Sequence, residues 1–328
     1  MDSPAAGPGA GPAPERVAIM SSSGGKMLVI RGGAIGDFIL TLPAIAALRN
    51  QFPGAHLEVL GYPHIVQLAV AGGLVDRVQS IEARALAGFF ARGGALEPDL
   101  ADYFSEFDLI VSYLYDPDEI FRTNVSRCSR AQFIAGPHRP DECVPLHAAK
   151  VYLKPLERLA IFDADPVPRL ALDSQPATVG RVALHPGSGA EKKNWPENKW
   201  ADLVQHLLEG TSLGLMLTGG EAEGERLQRL AAALPPARVS VAQSLPLPEL
   251  ARKLQPCTAF IGHDTGISHL SAALGLPGLV LWGETAEAIW RPPQKNVVIV
   301  KDRSGLKTLS VSQVLLELTA LLNRNAET

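Results

Sequence analysis

The stretch from Met27 to Pro53, "MLVIRGGAIGDFILTLPAIAALRNQFP", decides the fold. Its first four residues are apolar and form a short run that is typical of a buried strand. A glycine turn follows, and Asp37 stands between that turn and a series of apolar residues with helical spacing. A strand, a glycine turn and a helix start usually form an anion site, because the helix N-terminus offers free amides and a positive dipole. A carboxylate at the centre of such a turn needs a different explanation.

Predicted strands, such as "VSVAQ" at 239–243, alternate with predicted helices, such as "LPELARKL" at 247–254, on both sides of a proline-rich connection at 166–178. This alternation predicts an α/β protein whose parallel sheets are covered by helices on both faces. We expect two doubly wound halves, 27–165 and 179–328, with a ligand in the cleft between them at the carboxyl ends of the strands. Residues 1–26 consist mainly of Pro, Gly, Ala and Ser and are predicted to be a disordered tail.

The composition excludes several classes of protein. A net charge of −4 with 20% charged residues lacks the basic excess of a nucleic-acid binder. No apolar run reaches the roughly 18 residues of a membrane-spanning helix. Cys128, Cys143 and Cys257 are far apart and form neither a disulfide framework nor a CxxC zinc pattern. A cytoplasmic location is therefore expected.

The first glycine turn does not match a known nucleotide fingerprint. Gly32, Gly33 and Gly36 do not satisfy G-x-G-x-x-G, and no P-loop lysine follows them. Asp37 is either an ordinary helix cap or a catalytic carboxylate in the cleft. Pro43 predicts a helix that is kinked there or that starts late.

A second loop, "HPGSGAEKKNWP" at 185–196, combines glycines with hydroxyl and ammonium groups. Ser188, Gly189, Lys192 and Lys193 fit a diphosphate, although lysines of an ordinary solvated surface loop would look the same. A dinucleotide fingerprint would require glycine at position 192. Because this position is lysine, a dinucleotide is disfavoured. Trp195 is expected to pack beneath the loop rather than to stack on a base.

A third loop, "GHDTGISHLSAALGLP" at 262–277, opens a helix. Asp264 and Thr265 are cap-type residues, and Gly266 lets a ligand approach the backbone. His269 is either a donor near a departing diphosphate or a helix histidine bonded to its own cap. A metal cluster of His263, Asp264 and His269 is disfavoured, because the spacing is not H-E-x-x-H.

These three blocks resemble the family 9 glycosyltransferases, whose members include the lipopolysaccharide heptosyltransferases. The resemblance implies a GT-B architecture of two Rossmann-like domains, the first binding an acceptor and the second a nucleotide sugar. It implies that Asp37 is the general base, that Lys193 contacts the donor phosphates and that 264–266 touch the donor. A ribose-binding carboxylate is implied among Glu221, Glu223 and Glu225, with Glu223 preferred.

The resemblance further implies an inverting transfer of a heptose-type sugar from an ADP-sugar to a glycolipid or oligosaccharide core, without metal or cofactor. Four arginines cluster in the segment 121–140, and they are predicted to meet an anionic acceptor at the inner face of a bacterial inner membrane, although a solvated basic face is an equal alternative: Arg122, Arg127, Arg130 and Arg139. Two other functions stay open: another GT-B enzyme such as a nucleotide-sugar epimerase, and a non-catalytic nucleotide-sugar-binding protein.

Overall fold

A computed structural model describes residues 24–173, 180–189, 193–232 and 234–326. In this part of the chain the strands form two sheets, and every strand pairing is parallel. The strands of the first sheet are Lys26–Arg31 (β1), His56–Gly61 (β2), Arg77–Ser80 (β3), Leu109–Ser112 (β4) and Gln132–Ala135 (β5). Those of the second are Arg181–His185 (β6), Gly214–Gly219 (β7), Val239–Gln243 (β8), Ala259–His263 (β9), Gly278–Leu281 (β10) and Val297–Val300 (β11).

Helices connect these strands and cover the sheets. The α-helices of the first half are Ile35–Gln51 (α1), Pro63–Ala71 (α2), Pro98–Ser105 (α3), Ile120–Ser126 (α4) and Ala148–Leu153 (α5). Two 3₁₀ helices lie at Arg84–Phe90 and Lys154–Leu159. The α-helices of the second half are Glu197–Gly210 (α6), Gly224–Ala231 (α7), Leu247–Leu254 (α8), Gly266–Ala273 (α9), Glu287–Trp290 (α10) and Val311–Ala326 (α11).

The strand order confirms the doubly wound architecture. The first sheet runs β3-β2-β1-β4-β5, and the second runs β8-β7-β6-β9-β10-β11. In each sheet the order reverses beside the first strand, between β1 and β4 and between β6 and β9. Ligands of such sheets bind at the carboxyl ends of the strands at this reversal. The glycine turn after β1 and the loops after β4, β6 and β9 therefore mark the site.

Three strands, β3, β5 and β11, were not predicted, and the expected late start of the first helix is wrong. Helix α1 begins at Ile35 and continues through Pro43, because its apolar residues are buried on nearly every side. It packs against α5 of its own half and against α9 of the other half. Packing on several faces compensates for the backbone hydrogen bond that a proline removes. The terminal helix α11 follows Ser310, whose Oγ accepts from the Gln313 amide at 3.2 Å.

Some predictions fall on residues that the structure does not describe. Most of the expected tail (1–23), the end of the proposed connection (174–178) and Lys192 lie outside the described residues. In the sequence, the strands of the first sheet precede the connection and those of the second sheet follow it. Its described part is joined to the second half where the Leu170 amide donates to the Ala273 carbonyl at 2.8 Å.

Candidate active site

The carboxyl ends of the two sheets face each other across a cleft, and one cavity in it has a volume of about 520 Å³. The first half contributes the glycine turn after β1 and the loop after β4. The second half contributes Lys193 and the start of α9. Ten residues predicted from the sequence line this cavity: Gly32, Gly33, Gly36, Asp37, Arg139, Lys193, Asp264, Thr265, Gly266 and His269.

A second cavity of about 570 Å³ adjoins the first. Its polar lining includes Ser188, Gly189 and Glu223, all predicted, together with His185, which was not. Its opposite wall is apolar and comes from both halves, with Ile65 from α2 and residues of α8 and its preceding loop. A cavity with one polar and one apolar wall suits a nucleotide, which has an apolar base and a polar ribose phosphate.

The two cavities meet where the starts of α1 and α9 touch. The residues common to both are Gly33, Ala34, Gly36, Thr265 and Gly266. A Cβ on Gly266 would lie 2.6 Å from Ile35 Cβ and 2.9 Å from the Gly36 nitrogen. Only glycine therefore lets these two helix starts approach so closely. Because of this close contact, the backbone at 33–36 and 265–266 forms one strip that borders both cavities.

Asp37 caps its helix and also lines the first cavity. Its Oδ2 accepts the Ala34 amide at 3.1 Å, which is the bond of a helix cap. The side chain is also 29% exposed and lines the first cavity. Gly33 adopts a φ of +95°, a conformation that favours glycine and folds the turn back onto Asp37. Capping fixes the carboxylate in place without removing it from the cleft.

A buried arginine, for which the sequence carries no signal, lies directly behind Asp37. The side chain of Arg31, 2% exposed, places Nη2 3.6 Å from Asp37 Oδ1. Its Nη1 donates to the His138 carbonyl at 2.8 Å, and its guanidinium lies 4.4 Å from the centre of the Tyr152 ring. A fixed guanidinium on the protected side of Asp37 orients the carboxylate toward the cavity.

Lys193 faces Asp37 from the other half of the molecule. Its Nζ lies 3.3 Å from Asp264 Oδ2, and the lysine side chain is 42% exposed. Asp264 precedes Thr265, whose hydroxyl caps α9 by accepting the Ser268 amide. An ammonium group beside a helix N-terminus forms a positively charged wall suited to a diphosphate.

His263 connects the loops of the second half. Its Nε2 accepts the Trp195 amide at 2.8 Å, so the proton is on Nδ1, which lies 3.1 Å from the Gly187 carbonyl. Trp195 is fully buried and donates from Nε1 to the Leu309 carbonyl at 2.9 Å, which confirms that it packs beneath the loop. Among the described residues, no group of three or more His, Cys, Asp or Glu side chains is arranged to hold a metal ion.

His269 is nearly buried beneath the first cavity, with 5% of its surface exposed. Burial lowers its pKa to about 4, although the nearby Asp264 carboxylate partly opposes the shift. The imidazole is therefore neutral near pH 7. It is able to donate one hydrogen bond to a ligand but not to supply a full positive charge.

Replacing His269 by Gln should reduce the pH dependence of folding stability. The unfolded chain protonates this histidine near pH 6.5, whereas the folded chain does so near pH 4. Stability is therefore lost as pH falls between these values, because the unfolded state binds more protons there. Between pH 7 and 5 the variant should lose about 2 kcal/mol less unfolding free energy than the unaltered protein. Urea titrations at both pH values measure this, with the exposed His206→Gln as control. Equal losses in the two variants would contradict the assignment.

Glu223 is the one of the three candidate carboxylates that lines the second cavity. It is 9% exposed, and its Oε2 accepts the Gly220 amide at 2.9 Å. A Cβ on Gly187 would lie only 2.0 Å from Glu223 Cγ, so the glycine loop after β6 makes room for this side chain. Glu225 instead points to solvent, with 93% of its side chain exposed.

His185 ends β6 in the same cavity. It is buried, and its Nδ1 lies 2.9 Å from the Thr218 carbonyl, to which it donates. Burial lowers the pKa of His185, so the ring is neutral and Nε2 is an acceptor. The only feature of the sequence that pointed to His185 was its position directly before the glycine loop.

Of the four arginines predicted to meet the acceptor, one, Arg139, reaches the cleft. Neither Arg127 nor Arg130 is among the described residues that line the two cavities. Arg127 instead donates to the Gly94 carbonyl at 2.7 Å. The arginines that line the first cavity are Arg31 and Arg139, and the latter lies 5.5 Å from the centre of the Trp290 ring.

Part of this sequence is similar to a known protein family. A sequence model described as glycosyltransferase family 9 (heptosyltransferase) matches residues 163–317. Lipopolysaccharide heptosyltransferase 1 of Pseudomonas aeruginosa is 40% identical over 114 residues, covering 34% of this chain and 31% of that protein. The alignments with three curated heptosyltransferases 1 span less than half of the length of each relative.

Solved structures share the whole fold. The glycosyl transferase family 9 protein of Veillonella parvula has a TM-score of 0.76 at 18% identity, covering 92% of this chain and 97% of its own. Escherichia coli heptosyltransferase WaaC, solved with ADP, has a TM-score of 0.71 at 20% identity, covering 90% and 99%.

Two Rossmann-like domains with ligand cavities at their facing edges define a GT-B protein, as the sequence predicted. Within that class, residues 163–317 are similar to glycosyltransferase family 9, the heptosyltransferase family, and similar curated proteins are lipopolysaccharide heptosyltransferases. None of the described helices has the length and apolar character needed to cross a bilayer.

Proposed function

We propose that this protein transfers a heptose-type sugar, with inversion, from an ADP-sugar to a glycolipid or oligosaccharide acceptor of the lipopolysaccharide-core type. One observation carries the proposal: Asp37 and the Lys193–Asp264 pair line the same cavity from opposite halves of the molecule. A carboxylate faces a cation there, at the boundary with a nucleoside-sized cavity. This arrangement provides a base for an attacking hydroxyl and positive charge for a leaving diphosphate.

The chemical step follows from these positions. The Asp37 carboxylate accepts the proton of the acceptor hydroxyl while its oxygen forms a bond to the anomeric carbon. The bond from that carbon to the phosphate oxygen breaks, and the electron pair leaves with ADP. Lys193 and the amides at the start of α9 stabilise the charge that develops on the diphosphate. Attack from the face opposite the leaving group inverts the anomeric carbon.

The second cavity is assigned to the nucleoside part of the donor. Glu223 is placed to accept hydrogen bonds from ribose hydroxyls, and Ser188 is buried at the same wall. The apolar side of the cavity suits an adenine ring. The structure of WaaC with ADP, a protein of the same fold, is consistent with this donor class.

The acceptor is assigned to the first cavity. Arg139 is exposed and lines this cavity, where it is placed to pair with an anionic group of the acceptor core. It is one of the four arginines predicted for this role, of which Arg127 and Arg130 do not line the cavity. Arg31 is too deeply buried to meet the acceptor and supports Asp37 instead. A location at the inner face of the bacterial inner membrane fits such an acceptor.

The direct test is a transfer assay with ADP-heptose and lipopolysaccharide from a heptose-deficient strain. We expect ADP release and a mass increase of one heptose on the acceptor. EDTA should leave the rate largely unchanged, because protein cations take the role of a metal. Transfer separates the proposal from a nucleotide-sugar-binding protein, which would not turn over, and from an epimerase, which would alter the donor alone.

Replacing Glu223 by Gln should weaken ADP binding while leaving the fold intact. The amide oxygen of glutamine still accepts the Gly220 amide, but the second charged acceptor for the ribose hydroxyls is lost. A hydrogen bond to a charged group contributes about 1.5–3 kcal/mol, so ADP affinity should fall by roughly 10- to 100-fold. Isothermal calorimetry with ADP measures this, and Glu225→Gln is the matched control. A variant that binds ADP as tightly as the control would contradict the ribose assignment.

A further inference from the structure

A smaller depression of about 250 Å³ adjoins the acceptor cavity. Leu114, Tyr115 and His138 line both of them. This depression lies within the first half of the molecule, at the carboxyl ends of β4 and β5. The proposed transfer does not use it, yet it opens directly beside the proposed acceptor position.

Tyr115 lies between the acceptor cavity and this depression and is 70% exposed. Its ring meets that of His138 edge-on, with the ring centres 4.6 Å apart. The carbonyl of His138 is held by Arg31, which also lies behind Asp37. The aromatic platform is therefore connected through two residues to the carboxylate that would accept the proton.

The loop that carries Tyr115 is held in one conformation. Both carboxylate oxygens of Asp116 accept amides at the start of α4, from Phe121 at 3.1 Å and from Arg122 at 3.0 Å. Glu119 adopts a left-handed conformation with a φ of 52°, which is unfavourable for a side chain of its kind. Strain of this sort persists where the surrounding structure fixes it, and it is concentrated at binding sites.

The polar groups of the depression suit hydroxyls rather than a strong anion. Arg122 Nη1 lies 2.8 Å from Glu119 Oε1, and the two side chains are 44% and 63% exposed. The guanidinium also lies 6.0 Å from the centre of the Phe133 ring. Asp116, Glu119 and Arg122 together carry a net charge of −1, whereas Arg139 and Lys193 contribute positive charge to the first cavity. Paired donors and acceptors beside an exposed aromatic ring match the edge and the face of a sugar.

We propose that the acceptor binds through two adjoining sugar residues, the second stacked on Tyr115 in this depression. The first sugar, whose hydroxyl is attacked, lies beside Asp37. The second presents its hydroxyls to Arg122 and Glu119 and its apolar face to the Tyr115 ring. This assignment rests on the proposed function, because it takes the first cavity to hold the sugar that receives the new bond.

The test is a binding measurement with two saccharides from deacylated lipopolysaccharide core, one sugar residue long and two residues long. The unaltered protein should bind the disaccharide about tenfold more tightly. Tyr115→Ala should lower disaccharide affinity by a larger factor than monosaccharide affinity, so that most of the preference is lost while ADP affinity is unchanged, and Tyr115→Phe should keep the preference. Phe162→Ala is the matched control, since Phe162 is 69% exposed on a surface outside both cavities.

Equal affinity of the unaltered protein for the two saccharides would overturn the proposal, as would binding of neither. A Tyr115→Ala variant that keeps the disaccharide preference would overturn it as well. Transfer from ADP-heptose, measured on the same preparations, distinguishes this inference from the proposed function. Transfer without a disaccharide preference refutes the second subsite alone. A preference that depends on Tyr115 without any transfer supports the subsite and refutes the proposed function.

Discussion

An Asp37→Asn protein should fold and bind ADP normally but transfer sugar about 10²- to 10⁴-fold more slowly. The amide oxygen of asparagine is still able to accept the Ala34 amide, and asparagine caps helices about as well as aspartate. What the substitution removes is the group that takes the proton of the attacking hydroxyl. The measurements are the single-turnover rate of transfer, the melting temperature and the dissociation constant of ADP.

The matched control for this experiment is Asp302→Asn. Asp302 also accepts a backbone amide, that of Ser304 at 2.7 Å, but it lies outside both cavities. An Asp37→Asn protein with a transfer rate near that of this control would show that Asp37 is only a cap. The search would then move to the turn at Asp116 and Asp118, although Asp116 already uses both oxygens to hold α4.

Lys193→Ala is expected to slow transfer by about 10²- to 10³-fold, the usual cost of removing one group that stabilises transition-state charge. The structure adds a second effect. Lys193 is the ion-pair partner of Asp264, whose side chain is only 12% exposed. Without the lysine, that carboxylate is left uncompensated beside the diphosphate, so donor binding should weaken too. Transfer kinetics and ADP calorimetry separate the two contributions.

The neighbouring lysine provides the control for Lys193. Lys192→Ala should change neither the rate nor ADP affinity by more than a few-fold, because the resemblance gives the contact with the donor phosphates to Lys193. If the two variants showed the opposite ranking, the assignment of the loop would be shifted by one residue. A double variant, Lys193→Ala with Asp264→Asn, should recover part of the lost ADP affinity, because it removes the uncompensated charge.

Prediction of the fold from the sequence succeeded where the local pattern was strong. Strand β8 and helix α8 were predicted with the bounds that the structure has, since each combines apolar periodicity with clear ends. Strand β3 was missed because its four residues, Arg77–Ser80, are polar or half-exposed at the edge of the sheet. Short edge strands take their conformation from the neighbouring strand, and a single sequence does not show that pairing.

The site was predictable to the extent that its residues follow glycine loops. Asp37, Lys193 and Asp264 each stand beside such a loop, which brings them to the carboxyl ends of the strands. Arg31 carries no comparable signal, because it is simply the last residue of β1. Its importance depends on His138 and Tyr152, which are more than 100 positions away in the chain. Arg139 was noticed only as one of several arginines in a basic segment.

The strip of backbone shared by the two cavities has a consequence for how such proteins diverge. Each cavity is lined from both halves, but the side chains proposed to select the two substrates differ in origin: Tyr115 of the first half lines the first cavity, and Glu223 of the second half lines the second. We expect changes around Tyr115 to alter the choice of acceptor without altering the donor, and changes around Glu223 to do the reverse. The joint that must survive every such change is the contact of Gly266 with Ile35 and Gly36, where a Cβ on Gly266 does not fit.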